Sequence, residues 1–180
     1  MGDLEHGTEF ERWYRSAHRQ VLAGLIAYAG DAGRAAEATD EAFSRVLRDW
    51  ETVRTKRSPT AWTFTMARNL LRRQLRRTSR ERELMIALAV DPNEVHRDHA
   101  DGIVAALEVS TLLRVLTKKQ RLVVILHHGF DLSQENVAEL LGISRSTVAT
   151  TLHDSRRILS EAMSGERPAR RRSPAPEGRR

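Results

Sequence analysis

Three sets of side chains in this sequence have the type and spacing to do chemistry on a partner. Arg145, Ser146, Thr147, Ala149, Thr150 and His153 lie near the leading end, or off the apolar face, of a segment with helical periodicity. A helix of that kind enters a DNA major groove with its N-terminal residues first. Asn69, Arg72, Arg73, Arg76, Arg77 and Arg80 follow one another at steps of three, one, three, one and three, which puts them on a single helical face. Held parallel, like charges cost an isolated helix about 0.2–0.5 kcal/mol per pair, so such a stripe suits phosphates better than water. A plain solvated arginine face is the alternative. Glu37, Asp40 and Glu41 form an acidic patch on a chain of net charge +6. Near a helix N-terminus that patch is also electrostatically ordinary.

The elements that must position the first set are legible between Asp131 and Leu159. Ser133 is an N-cap for a short helix whose apolar face is Val137, Leu140 and Leu141. Gly142 permits the positive φ of a tight turn, and Ser144 caps a second helix. That helix carries Val148, Leu152, Ser155 and Leu159 on one face, and Ala138 is small where the two would cross. The pattern is a helix-turn-helix; a plain helical hairpin inside a bundle is the structural alternative. For the arginine stripe, Ser58-Pro59 is a helix start, with Trp62, Met66 and Leu70 four apart and Phe64, Ala67, Leu71 and Leu75 alongside. A basic loop, Arg54 to Arg57, precedes it.

Earlier in the chain, Phe10, Tyr14, Ala17, Val21, Leu25 and Tyr28 recur at helical spacing. Gly30 and Gly33 flank a break, and a helix from about Ala35 to Trp50 is expected, with Phe43, Val46, Leu47 and Trp50 on its apolar stripe. A small apolar run, Leu84–Val90, is ended by Asp91-Pro92, and residues 85–102 read as a flexible acidic linker. Leu107, Leu112, Leu113 and Leu116 then feed one helix, and Thr117 caps the next, with Leu122, Ile125 and Leu126 inward. The run 122–126 has strand-like composition, but its helical setting argues against a strand. Adjacent His127 and His128 point about 100° apart on a helix and cannot chelate together. The expected organisation is all-α: a helical domain at 8–84, the linker, a helix-turn-helix domain at 103–163, and a disordered basic tail at 164–180.

Composition narrows the function classes. The pI is about 10.6, which points to a polyanion, nucleic acid by default. Only Lys56, Lys118 and Lys119 among the 30 basic residues are lysine, and arginine forks phosphates and guanine edges bidentately. With no cysteine, disulfides and thiolate metal sites are excluded. His96-x-x-His99 with Asp98 and Asp101 is too sparse to predict a metal site. No nucleophile–base signature or phosphate-cradling glycine loop is present, so neither an enzyme nor a cofactor is expected. Apolar runs are far too short for a membrane span, and a cytoplasmic location is expected.

Two small helical domains in this order resemble the extracytoplasmic-function sigma factors of bacterial RNA polymerase, over about Glu9 to Met163. The resemblance is carried by Glu37, Glu41, Phe43 and Leu47, by Pro59-x-x-Trp62 with Ala67, Arg68 and Asn69, and by Arg76-Arg77. In the second half it is carried by Gln120-Arg121, Leu132-Ser133, Val137-Ala138, Leu141-Gly142-Ile143-Ser144 and Thr147-Val148. It implies that Glu37, Asp40, Glu41, Phe43 and Leu47 dock on core RNA polymerase. It implies that Trp62, Arg68, Asn69, Arg72, Arg73, Arg76 and Arg77 melt and hold the minus-ten promoter strand. Ser144, Arg145, Ser146, Thr147, Ala149, Thr150, His153, Arg156 and Arg157 would face the minus-thirty-five element. An anti-sigma factor is a further partner that the resemblance implies.

The sequence departs from that family at one place. Basic residues usually follow Thr-Val there, whereas this chain has Ala149, Thr150, Thr151 and then His153-Asp154. Asp154 would be repelled by phosphate unless it faces away or accepts from a cytosine amino group. The competing readings are a free-standing helix-turn-helix regulator of duplex operators, and a sigma-like decoy for an anti-sigma protein. The regulator leaves the acidic patch and the arginine stripe unexplained.

Overall fold

The computed structural model describes residues 2–84 and 100–164, with side chains at 7–76 and 102–164. The linker pair His96 and His99, the apolar run before Asp91 and the basic tail lie outside the described residues, as do the side chains of Arg77 and Arg80. Every regular element among the described residues is helical. The first helix, α1 (Gly2–Ala29), ends where Gly30 takes φ +72°, a conformation that glycine adopts without strain, and Gly30 N–H bonds Ile26 O at 2.7 Å. Asp31 then caps α2 (Ala32–Arg48) by accepting from Arg34 N–H at 3.0 Å. This corrects the expected start near Ala35: Gly33 lies inside the first turn, because the Asp31 cap fixes the helix origin before it.

Trp50 belongs to a separate short helix, α3 (Trp50–Val53), beyond a break at Asp49. The Ser58 hydroxyl accepts from Ala61 N–H at 3.3 Å and opens α4 (Pro59–Leu84) at the proline, as its sequence predicts. After the linker come α5 (Ala100–Leu113) and α6 (Lys118–Val124), followed by one π turn, Ile125–Gly129. Thr117 caps α6 in a full capping box with Gln120. The helix-turn-helix is α7 (Gln134–Leu141) and α8 (Arg145–Met163), joined through Gly142 at φ +64°.

In the N-terminal half, α1, α2 and α4 pack around Val21, Leu25, Phe43, Phe64 and Leu71, with Ala38, Ala42, Ala61 and Ala67 letting the helices approach. Each fully buried Val, Leu or Phe contributes about 1.5–3 kcal/mol. A satellite core of Val46, Trp50 and Val53 is covered by Phe10, Trp13, Trp62 and Met66, and Trp13 Nε1 donates to Thr60 Oγ1 at 3.1 Å. In the C-terminal half, Val123, Leu126, Val137, Val148 and Leu152 are buried where α6 and α7 meet α8.

One apolar core runs through both halves. Helix α5 lies on α1 and buries Ala106, Ser110 and Leu113 there, while Val104, Val109 and Leu112 face solvent. Leu112, placed on the apolar face from its neighbours, is thus on the outside, since α5 is apolar around most of its circumference. Phe130, just after the π turn, is buried beside Phe64, and a Cβ on Gly24 would come within 3.0 Å of its ring. Polar contacts frame this contact. Gln20 Nε2 donates to Gly129 O at 2.9 Å, and Arg121 Nη1 donates to Tyr28 O, a C-terminal carbonyl of α1, at 2.7 Å.

Candidate nucleic-acid interface

The arginine stripe is presented by α4. Asn69, Arg72, Arg73 and Arg76 are exposed along one side, opposite the buried Phe64, Ala67, Leu70 and Leu71. Arg68 differs from them: it is half-buried, and its Nη2 donates to Asn69 Oδ1 at 2.7 Å. Burial pushes its pKa below the ordinary arginine value, with Tyr28 pulling it up and Arg72 pushing it further down. Its Nε has no hydrogen-bond partner. Trp62 is half-buried against the satellite core and shows only part of its ring. Phe64, on the same helix, is fully buried and cannot stack on a base.

The basic loop before α4 is already engaged. Arg54 Nε bonds Glu51 Oε2 at 2.9 Å. Arg57 reaches the other half of the molecule, where its Nη1 donates to Asn136 Oδ1 at 3.1 Å and its Nε lies 3.5 Å from Glu139 Oε2. Sequence reasoning missed Gln20, Arg121, Asn136 and Phe130 as residues joining the halves.

At the second surface, the Ser144 hydroxyl accepts from Thr147 N–H at 3.1 Å and also meets the hydroxyls of Ser146 and Thr147. Val148, Thr151, Leu152 and Ser155 face the core. Arg145, Ser146, Thr150, His153, Arg156 and Arg157 are exposed, and Thr147 and Ala149 are half-buried at the margins. Arg145 is ion-paired to Glu135 of α7, and Arg157 Nη1 bonds Glu161 Oε1 at 2.6 Å. Asp154 is half-buried, on the flank that also carries Thr147 and away from His153. The π turn stacks His127 and His128 edge to face at 4.6 Å, and His127 Nδ1 lies 2.6 Å from Leu132 O. Burial, His127 and then Arg156 lower the pKa of His128.

The acidic patch lies on α2. Glu37 and Asp40 are exposed; Asp40 Oδ1 is 3.1 Å from His18 Nε2, and Glu41 is paired with Arg45. Leu47 is 56 % exposed and free to pack on a partner. Phe43 is not: only 3 % exposed, it packs on Trp13, Tyr14 and His18 and holds α2 to α1. Its role is therefore to support the patch from below. His18 joins the patch through Asp40, which spacing alone could not show.

Known proteins share this arrangement. Residues 13–81 match the family model described as Sigma-70 region 2, and residues 106–159 match Sigma-70, region 4. The RNA polymerase sigma-E factor of Streptomyces coelicolor is 29 % identical over 164 residues, covering 91 % of this chain and 89 % of that protein. RNA polymerase sigma factor YlaC of Bacillus subtilis is 26 % identical over 168 residues, with 91 % and 97 % covered. The fold is similar to that of the sigma factor RpoE in complex with the anti-sigma factor NepR from Bartonella quintana: TM-score 0.68, 19 % identity, 88 % of this chain and 99 % of that one. CnrH in complex with the cytosolic domain of CnrY is similar at TM-score 0.57 and 18 % identity, with 90 % and 89 % covered. With region 2 on the stripe-bearing half and region 4 on the helix-turn-helix, in that order along one chain, the protein belongs to the extracytoplasmic-function sigma factors of the sigma-70 family.

Proposed function

We propose that this chain binds core RNA polymerase and directs it to promoters, with no catalysis of its own. The observation that carries the reading is the pairing, in one chain, of an exposed arginine stripe on α4 with a capped helix-turn-helix in α7 and α8. In this reading the α2 face of Glu37, Asp40, Glu41 and Leu47 docks on the polymerase, with Phe43 as its internal support. Arg68, Asn69, Arg72, Arg73, Arg76 and Arg77 hold the minus-ten strand, and the exposed edge of Trp62 offers a stacking surface. The exposed arc of α8 faces the minus-thirty-five duplex. No described helix is long and apolar enough to cross a membrane, and the proposed work is done in the cytoplasm with the polymerase. An anti-sigma factor is the proposed regulator, since RpoE and CnrH were each solved with a bound partner, NepR and CnrY.

Run-off transcription with purified core polymerase is the test. Addition of the chain should yield transcripts from a promoter subset that core alone ignores. A palindromic footprint on duplex DNA without polymerase, and no run-off product, would favour the free-standing regulator instead.

A further inference from the structure

Region 4 of this chain lacks the basic residues expected in the body of its second helix, and the structure shows what stands in their place. In the first two turns of α8, Arg145 to Leu152, Val148, Thr151 and Leu152 are buried, and Ala149 offers only a methyl group. The hydroxyls of Ser146 and Thr147 are both within hydrogen-bond distance of the Ser144 hydroxyl. Arg145 is thus the one side chain in those turns with several donors in a rigid plane, the geometry that spans guanine O6 and N7. It is also the first residue of α8, where a helix-turn-helix meets base edges.

Arg145 has a partner on the other helix of the motif. Its Nε is ion-paired to the carboxylate of Glu135, in the first turn of α7. That carboxylate is held in turn by its own backbone N–H and by the Ser133 hydroxyl, which together with Arg145 keep it below the usual carboxylate range. A guanidinium has five N–H donors, more than one carboxylate can take, so donors remain for a base. The pair is solvent-accessible, so it biases the Arg145 side chain toward one orientation rather than fixing it, and part of the ordering that docking requires is already made.

We infer that Arg145 is the specificity-determining residue of the region 4 half, reading a guanine in the minus-thirty-five element, and that Glu135 is the positioning residue that presents it. The inference rests on the promoter-recognition reading above. A phosphate contact would need no such support, and a neighbouring carboxylate would weaken it. The two roles therefore predict opposite signs when Glu135 is neutralised.

The experiment uses the full chain with core polymerase and a library of duplex promoters randomised in the upstream element. Wild type should enrich guanine at one upstream position by about tenfold or more. Arg145→Lys should keep the salt dependence of binding and lose that preference at that position alone. Glu135→Gln should reduce the same preference and leave the salt dependence and helical circular dichroism unchanged. Full guanine preference in the Arg145→Lys protein overturns the inference. So does a Glu135→Gln protein that binds every sequence more tightly with its preferences intact, since Glu135 would then only compete with phosphate. Transcription by wild type without any upstream preference also overturns it and leaves the sigma reading standing, whereas absence of any transcription with core removes both.

Discussion

The ring of Phe130 lies 4.8 Å from that of Phe64, joining the turn before the helix-turn-helix to the helix that carries the arginine stripe. Gly24 makes room for the contact, because a Cβ there would meet the Phe130 ring at 3.0 Å. The two surfaces proposed to face DNA are thereby held within one folded body. Promoter elements at minus ten and minus thirty-five are about 25 base pairs apart, or about 85 Å at about 3.4 Å per step. A compact chain of this length has a radius of gyration of about 16 Å. In the proposed reading, the halves part when both surfaces sit on one promoter. Phe130→Ala should cost about 3 kcal/mol and lengthen the mean distance between fluorophores at positions 48 and 163 in the free chain. The chain has no cysteine, so Arg48→Cys and Met163→Cys would label cleanly. An unchanged distance in the Phe130→Ala protein would show that this contact does not hold the halves together.

The face proposed to dock on polymerase can be altered without disturbing the core. Asp40 and Glu41 make only solvent-accessible pairs, with His18 and Arg45, and such pairs contribute about 0.2–1 kcal/mol. Asp40→Lys with Glu41→Lys should abolish co-purification with core polymerase and leave helical circular dichroism intact. Phe43→Ala should instead lower the melting temperature, since Phe43 packs inside the domain. Binding to core by the double Lys variant at wild-type strength would remove this face from the docking surface.

Much of this was legible because caps and special backbone positions are local. Ser58, Thr117, Ser133, Gly142 and Ser144 each do in the structure what their types predict. Asp31 was not legible, because a glycine two residues later looked like the break itself. The joining of the halves was not legible either. No motif or spacing in the sequence singles out Phe130 or Gln20, and nothing in a one-dimensional pattern brings Gly24 beneath an aromatic ring. Phe43 and Leu47 lie four apart and were grouped as one contact face. The helix instead turns Phe43 onto Trp13 and leaves Leu47 outside.

On α4, the burial of Phe64 leaves Trp62 as the aromatic beside the arginines, and Trp62 is itself half-buried. Unstacked bases alone offer faces to such a ring. Arg76→Ala with Arg77→Ala should cut open-complex formation on a fully duplex promoter, and a pre-melted bubble should rescue part of the loss. Equal loss on both templates would mean that these arginines hold phosphates without favouring the melted strand.

Asp154 and Arg156 lie on different sides of α8, one half-buried on a flank and the other exposed. Asp154→Asn should leave the affinity for duplex promoter DNA and its salt dependence unchanged. Arg156→Ala should weaken binding uniformly and reduce the salt slope by about 0.9. A clear gain in affinity from Asp154→Asn would place that carboxylate against phosphate.

His128 gives the fold a pH dependence whose sign is fixed by its surroundings. Burial, the neighbouring His127 ring and the Arg156 guanidinium all disfavour its charged form, so its folded pKa lies below the ordinary value of 6.5. In the unfolded chain the same ring takes a proton near pH 6.5. As the pH falls from there toward the depressed folded pKa, the unfolded state binds more protons and stability declines. The effect is small because the His128 ring is only partly desolvated and water screens the rest of it. Denaturant midpoints should therefore fall between pH 7 and pH 5 in wild type, and His128→Asn should flatten part of that slope. Arg156→Gln, which removes one of the three causes, should raise the His128 titration midpoint seen by NMR. A midpoint in wild type above that of an unfolded peptide would reverse the sign and remove the cationic Arg156 from the environment of this ring.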